Sequence, residues 1–251
     1  MSRYDIPDEL WQRLEPIVCP PRQERRGRPA KDSRLILNGI LWILHTGAPW
    51  RDLPDEVGSW KTVYKRFNAW SKSLLWQDVL SKLSSEADLE AVFLDGSYVR
   101  AHQHAAGGKG GGDSQAIGRS RGGLTTKIHA VVDALGNPIR LKLTGGQVHD
   151  IVPATELIEG LAADHVAADK AYDAQHFIDL ILKQGAVPVI PPKKNRRVQR
   201  EYDRHLYKER HLVECFFCKI KDFRRIATRY EKLARTFLTM LTIASCLIWL
   251  R

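Results

Sequence analysis

AVFLDGSYVRAH at residues 91–102 and LTTKIHAVVDALGNPIRLKLTGG at residues 124–146 decide the fold. Both are runs of β-branched and apolar residues, and the second is interrupted by Gly136-Asn137-Pro138. That pattern predicts one strand and then a hairpin. Further on, PATELIEGL (153–161) reads as a helix, and HVAAD (165–169) as a short buried strand ending at Asp169. AQHFIDLILKQG (174–185) reads as a helix closed by Gly185, and AVPVIPP (186–192) as a fifth strand. A basic stretch then leads into a helix that holds Glu214. Three antiparallel strands followed by β/α units predict an α/β fold, a mixed sheet with helices on its faces.

The residues before this region differ in kind. Residues 1 to about 86 hold six of the seven Trp and read as helices broken by Pro and Gly. The shift predicts two domains, 1–86 and 87–251, meeting near Ser84–Asp88. Asp8 to Val18 is a short amphipathic helix, followed by the polar, basic linker CPPRQERRGRPAKD from Cys19 to Asp32. Asp32 caps a second helix in which Leu35, Ile36, Ile40, Leu41 and Leu44 recur at helical spacing, and Gly47 and Pro49 stop it. Ser59 opens a third helix. Its face of Trp60, Val63, Tyr64, Phe67 and Trp70 is apolar, and Lys61, Lys65, Arg66 and Asn68 lie opposite. The pattern suits a helix-turn-helix module and equally a small helical bundle with a solvated charged face.

Among the 251 residues 43% are hydrophobic and 27% charged, which excludes collagen-like and wholly disordered chains. Lys and Arg number 39 against 29 Asp and Glu, a net charge of +10 that favours a polyanionic partner, nucleic acid first. Cys19, Cys215, Cys218 and Cys246 are too few and too uneven for a disulfide framework. MSRYDIPDEL has no apolar core of a signal peptide. The apolar tract Thr236–Leu250 falls short of the roughly 17–25 residues of a membrane span, so a buried helix and a cytoplasmic location are expected.

Asp95 and Asp169 each interrupt or end an apolar strand. A carboxylate there must be paired, hydrated or bound to a metal. Two such groups at the ends of adjacent strands repel, and a hard divalent cation, Mg²⁺ or Mn²⁺ rather than zinc, relieves the repulsion. A turn or helix cap is the alternative for either one. Tyr207, Arg210, Glu214 and Lys221 stand at offsets 0, 3, 7 and 14. On one continuous helix they would fall within about 60° of each other. The row suits a phosphate backbone beside a metal, or equally a solvated face with ion pairs. GGKGGGD (107–113) lacks the ending of a phosphate-binding loop and reads as a flexible loop. There Lys109, Arg119, Arg121 and Lys127 would track a DNA backbone. PKKNRRVQREYDRH (192–205) offers Lys193, Lys194, Arg196, Arg197 and Arg200 for the same purpose. Cys215 and Cys218 are expected to pack in the core. His149–Asp150 reads either as support for the metals or as a turn and cap.

Together, LTTKIHAVVD, the strand-end Asp95 and Asp169, and YKERHLVECFFCKIK resemble bacterial insertion-sequence transposases of the DDE type, insertion-sequence family five. That group's helix motif Y-(2)-R-(3)-E-(6)-K is matched at Tyr207, Arg210, Glu214 and Lys221. Its N-terminal region is echoed in GRPAKDSRLILNGILWILHTGAPWRDLP and SWKTVYKRFNAW. The resemblance implies a ribonuclease-H-like catalytic domain behind a helical DNA-binding domain, with Lys61, Lys65 and Arg66 on the reading helix. It further implies Asp95, Asp169 and Glu214 as ligands of two Mg²⁺ ions, cleavage at terminal inverted repeats of double-stranded DNA, joining of 3′-hydroxyl ends to target DNA, and a homodimer on DNA. Relatives are often encoded in two overlapping frames, whereas here the chain runs continuously through the glycine-rich stretch.

Overall fold

The computed structural model describes residues 4–19, 31–108, 110–197 and 199–251. Most of the predicted linker Cys19–Asp32, and Lys109, lie outside the described residues. The chain begins with α1 (Asp8–Val18), α2 (Ser33–Thr46), α3 (Trp60–Lys72) and α4 (Leu75–Leu83). Asp32 caps α2 as its position predicts, its carboxylate accepting from Arg34 N at 2.8 Å. Gly47 ends that helix at φ 73°, a left-handed conformation that costs a residue without Cβ nothing. Two 3₁₀ turns, Trp50–Asp52 and Asp55–Val57, separate α2 from α3. The tight turn therefore lies between α3 and α4, at Ser73–Leu74, where Leu74 adopts φ 58°. Helix α4 is absent from the pattern-based expectation because SLLWQDVLSKL follows α3 with no Gly or Pro to announce a new element.

The sheet is built from β1 (Ala91–Ala101), then, after the one-turn α5 (Gly111–Ser114), β2 (Gly118–Ser120), β3 (Gly123–Val132) and β4 (Pro138–Gly145). After α6 (Ile151–Ile158) come β5 (His165–Ala167), α7 (Gln175–Lys183) and β6 (Val187–Val189). The main order is β4-β3-β1-β5-β6, with β2 also on β3. β3 is antiparallel to both β1 and β4, while β5 and β6 run parallel to β1. This is the expected mixed α/β sheet with helices on its faces. Asp133, fully buried, organises the β3–β4 hairpin by accepting from Leu135 N at 3.0 Å and Asn137 N at 2.7 Å. The chain ends with α8 (Arg204–Lys208), α9 (His211–Lys221), α10 (Arg224–Ala227), the two-residue β7 (Thr228–Arg229) and α11 (Ala234–Trp249).

Strand alternation sorts the sheet into two faces. Val92, Leu94 and Val131 pack on α6 and α7. Phe93, Ala130 and Val132 face α9 and α11 and join one continuous core with α1 to α4. Eleven of the sixteen residues of α11 are buried, and Thr239 Oγ1 meets Ser71 Oγ of α3 at 3.0 Å. Among the described residues no helix is long and apolar enough to cross a membrane. The C-terminal apolar tract is a core helix wedged between the helical segment and the sheet.

Candidate active site

Parallel pairing of β1 with β5 sets Ala91 against His165, Val92 against Val166 and Phe93 against Ala167. Two residues beyond the last pair, each strand carries its aspartate. The two carboxylates are close enough for the charge of Asp169 to act on Asp95. Regular pairing stops at Ala167. Asp169 opens the 3₁₀ turn Lys170–Tyr172, and its Oδ1 accepts from Ala171 N at 2.7 Å. Asp95 Oδ1 accepts from Gly96 N at 2.7 Å and Oδ2 from Arg210 Nη1 at 3.0 Å. Arg210 Nη2 also donates to Glu214 Oε1, so one guanidinium joins β1 to α9. Burial pushes the Asp95 carboxyl above its usual value; the Gly96 N–H and Arg210 oppose this, and the charge of Asp169 adds to it.

The row of Tyr207, Arg210, Glu214 and Lys221 is not on one continuous helix. A tighter turn intervenes, with Leu212 N and Val213 N donating to Glu209 O and Arg210 O, three residues back. Tyr207 belongs to α8 and meets Tyr202 edge-on at 5.5 Å. Arg210 caps α9, and Lys221 near its far end donates from Nζ to Ser97 Oγ of β1 at 2.5 Å. Val213, Phe216, Phe217 and Ile220 turn inward. Cys215 and Cys218, expected in the core, are exposed instead, because Phe216 and Phe217 fill the buried positions between them.

The other face of the sheet holds a cluster that the sequence barely announces. Gly96 pairs with His129 and Tyr98 with Lys127. Lys127 is therefore not on the glycine-rich loop. It is 3% exposed, with Nζ 3.1 Å from Asp150 Oδ1 and donating to Val148 O at 3.0 Å, and cannot reach a DNA backbone. His129 Nδ1 lies 3.5 Å from the same Asp150 oxygen, and its Nε2 meets Thr144 Oγ1 at 2.8 Å. Burial holds His129 down at about 4, against a partial counter-effect from Asp150. Asp150 starts α6, but its side chain caps nothing and is committed to Lys127.

Asp173, also missed, has a fully buried side chain and accepts from Lys193 N at 2.8 Å and Arg196 Nε at 2.9 Å, and also from Arg200. Burial would raise its pKa; these donors outweigh it and hold the group at about 2. The only sequence signal was its place four residues after Asp169. Arg196 and Arg200 are thus tied down, whereas Lys193, Lys194 and Arg197 are exposed. Lys61 and Lys65 of α3 are exposed too, as are Arg119 and Arg121 at the β2–β3 turn; Arg66 is half-buried, 6.0 Å over the Trp70 ring.

Asp95, Asp169 and Glu214 offer carboxylate oxygens alone, and Arg210 bridges Asp95 and Glu214. That donor chemistry fits a hard divalent cation. Among the described residues no three acidic, His or Cys side chains are gathered to share one ion. Glu214 meets Asp95 through Arg210.

Comparison with known proteins matches residues 6–80 to the family described as "Putative transposase of IS4/5 family" and residues 86–249 to "Transposase DDE domain". The "Putative transposase for insertion sequence element IS6501" of Brucella ovis is 47% identical over 132 residues, 51% of this chain and 100% of that one. The "Insertion element IS402 uncharacterized 16.2 kDa protein" of Burkholderia cepacia is 36% identical over 112 residues, 40% of this chain and 76% of that one. Among solved structures, the piggyBac transposase synaptic complex with hairpin DNA is 11% identical with a TM-score of 0.40. That similarity covers 77% of this chain, which spans 50% of the piggyBac chain. With the DDE model running across the whole sheet and α9, the chain belongs to the transposase DDE-domain family and is an insertion-sequence DNA transposase.

Proposed function

We propose that this transposase binds the terminal inverted repeats of its element as double-stranded DNA, hydrolyses the phosphodiester at each end, and joins the freed 3′-hydroxyl to target DNA. Asp95, Asp169 and Glu214 are the ligands of two Mg²⁺ ions, for which Mn²⁺ substitutes. When bound, such ions supply Lewis-acid polarisation of the phosphoryl oxygen and activation of the attacking hydroxyl at neutral pH. The chain's own groups do the rest. The β1 backbone fixes Asp95, and the Asp169 turn fixes its carboxylate through Ala171 N. Arg210, which already bridges Asp95 and Glu214, and Lys221, held by Ser97, place positive charge beside the phosphate under attack. Residues 1–86 read the DNA with Lys61, Lys65 and Arg66, and residues 87–251 carry out the chemistry. Lys193, Lys194, Arg197, Arg119 and Arg121 steady the backbone beyond the site. Two ends must be held together, so the protein acts as a homodimer on DNA, in the cytoplasm at the nucleoid.

One observation supports this reading above others: the parallel register of β1 with β5 ends at Phe93 opposite Ala167, two residues before Asp95 and Asp169. The test supplies pre-cut element ends, a target plasmid and Mg²⁺. Wild-type protein is expected to join them, and Asp95→Asn, Asp169→Asn and Glu214→Gln to lose joining while still binding the ends. Joining by Asp95→Asn protein would refute the assignment. Cleavage of uncut ends without joining of pre-cut ones would favour a nuclease.

A further inference from the structure

The turn that opens with Asp169 ends on a second aspartate. Tyr172 N donates to Asp169 O at 3.1 Å and Asp173 N to Lys170 O at 3.2 Å, and the Tyr172 side chain is buried beneath them. Asp169 to Asp173 therefore form one tight unit. Strand β6 pairs with β5 as far as Val189 opposite Ala167, so the chain leaving β6 starts beside that unit. Asp173 catches this chain. Its side chain is fully buried, with Oδ2 accepting from Lys193 N at 2.8 Å and Arg196 Nε at 2.9 Å, and Oδ1 accepting from Arg200. Arg196 Nη1 also donates to Gln175 Oε1 of α7 at 2.8 Å. The captured segment closes on itself. Arg196 N donates to Lys193 O at 3.0 Å, and Gln199 Nε2 donates to Lys193 O and Arg196 O at 3.2 and 3.0 Å.

One carboxylate fixes a backbone N–H and two guanidinium groups, while Lys193, Lys194 and Arg197 stay exposed on the same loop. A fold that needed only a filled space would do as well with an apolar side chain, because a buried charge costs free energy to desolvate. An apolar side chain cannot hold two long arginines, and the loop backbone with them, in one arrangement. Cations on a loop ordered in advance meet a phosphate backbone without the entropy cost of ordering the loop at that moment. We propose that Asp173 is a positioning residue: it docks the loop from Lys193 to Arg200 on the Asp169 turn, so that Lys193, Lys194 and Arg197 grip the DNA strand in register with the Asp169 carboxylate. Asp173 acts through Arg196, Arg200 and the Lys193 N–H. The proposal rests on the DNA-joining function given above.

Joining of pre-cut ends by the full-length protein, measured against the concentration of ends in Mg²⁺, tests it. Asp173→Asn keeps the shape of the side chain but loses its charge and turns one acceptor into a donor. It should raise KM for the ends about tenfold, the scale of re-ordering two or three long side chains, and leave kcat within about twofold. Lys193→Ala with Lys194→Ala should raise KM similarly in the wild-type background. Beside Asp173→Asn the same pair should add less than about twofold, because the loop is already undocked. An aspartate that served only folding would behave differently: its loss lowers the active fraction, so kcat falls, KM stays, and the lysine changes keep their full effect. That pattern would overturn the proposal. Arg196 is 23% exposed, so Arg196→Ala releases the same tie from the loop's side without opening the core. It should show the same rise in KM and the same non-additivity, and it decides the matter if Asp173→Asn does not fold. Wild-type joining with an unaltered KM in both variants removes this proposal alone. Wild-type protein that joins no ends removes the DNA-joining function and this proposal together.

Discussion

Gly96→Ala would place a methyl group where the structure has a carboxylate. A Cβ at Gly96 lies 2.3 Å from Asp150 Oδ1 and 3.2 Å from His129 Nδ1. Asp150 cannot step aside freely, because Lys127 Nζ holds its two oxygens at 3.1 and 3.2 Å. Moving the carboxylate strips an ammonium that is only 3% exposed of its counter-ion, leaving it Val148 O and the Tyr98 ring. Breaking a buried ion pair costs about 3–5 kcal/mol. Asp150 is 27% exposed and water replaces part of the loss, so we expect about 2–3 kcal/mol. In a domain of this size that corresponds to a fall in Tm of roughly 5–10 °C. Thermal unfolding followed by circular dichroism measures it, and a double-mutant cycle isolates the cause. In an Asp150→Ala background the methyl group has room, and the same glycine change should cost under about 0.5 kcal/mol. Equal costs in the two backgrounds would refute the steric reasoning and free Gly96 from any link to Asp150.

His129 is held at about 4, below its usual 6.5, so the folded state resists a proton that the unfolded chain accepts. Its contribution is intact above pH 6.5 and is lost as pH falls towards 4, by about 3 kcal/mol in all. Urea unfolding of His129→Gln should be flatter across that window, and an unchanged slope would count against a buried neutral imidazole. Lys61→Ala and Lys65→Ala should each lower the salt slope of DNA binding by about 1 if each neutralises one phosphate, and a wild-type slope in both would remove α3 from the backbone contacts. Arg210→Ala and Lys221→Ala should slow strand transfer far more than they shift Tm; equal losses would mean that both residues serve only as ion-pair or hydrogen-bond partners within the fold.

What the sequence determined by itself was local. Strand alternation in AVFLDGSYVR and LTTKIHAVV, the Asp32 cap, the Gly47 stop and the hairpin at Gly136-Asn137 follow from backbone geometry and near-neighbour chemistry, and they reappear where their spacing puts them. That Asp95 and Asp169 each follow a short apolar run was legible for the same reason, whereas the structure sets Asp95 inside β1 and Asp169 two residues past β5. Tertiary structure decided everything that depends on distant partners. Lys127 reads as a free basic side chain until β3 pairs with β1 and α6 delivers Asp150. Arg196 and Arg200 read like Lys193 and Lys194 until Asp173 claims them. Cys215 and Cys218 read as core residues until packing gives Phe216 and Phe217 the inward positions. Composition and periodicity record what a residue prefers near its own position. Whether a charge stays free for DNA is settled by which opposite charge the fold brings within about 3 Å of it, and that distance is written in no single stretch of the chain.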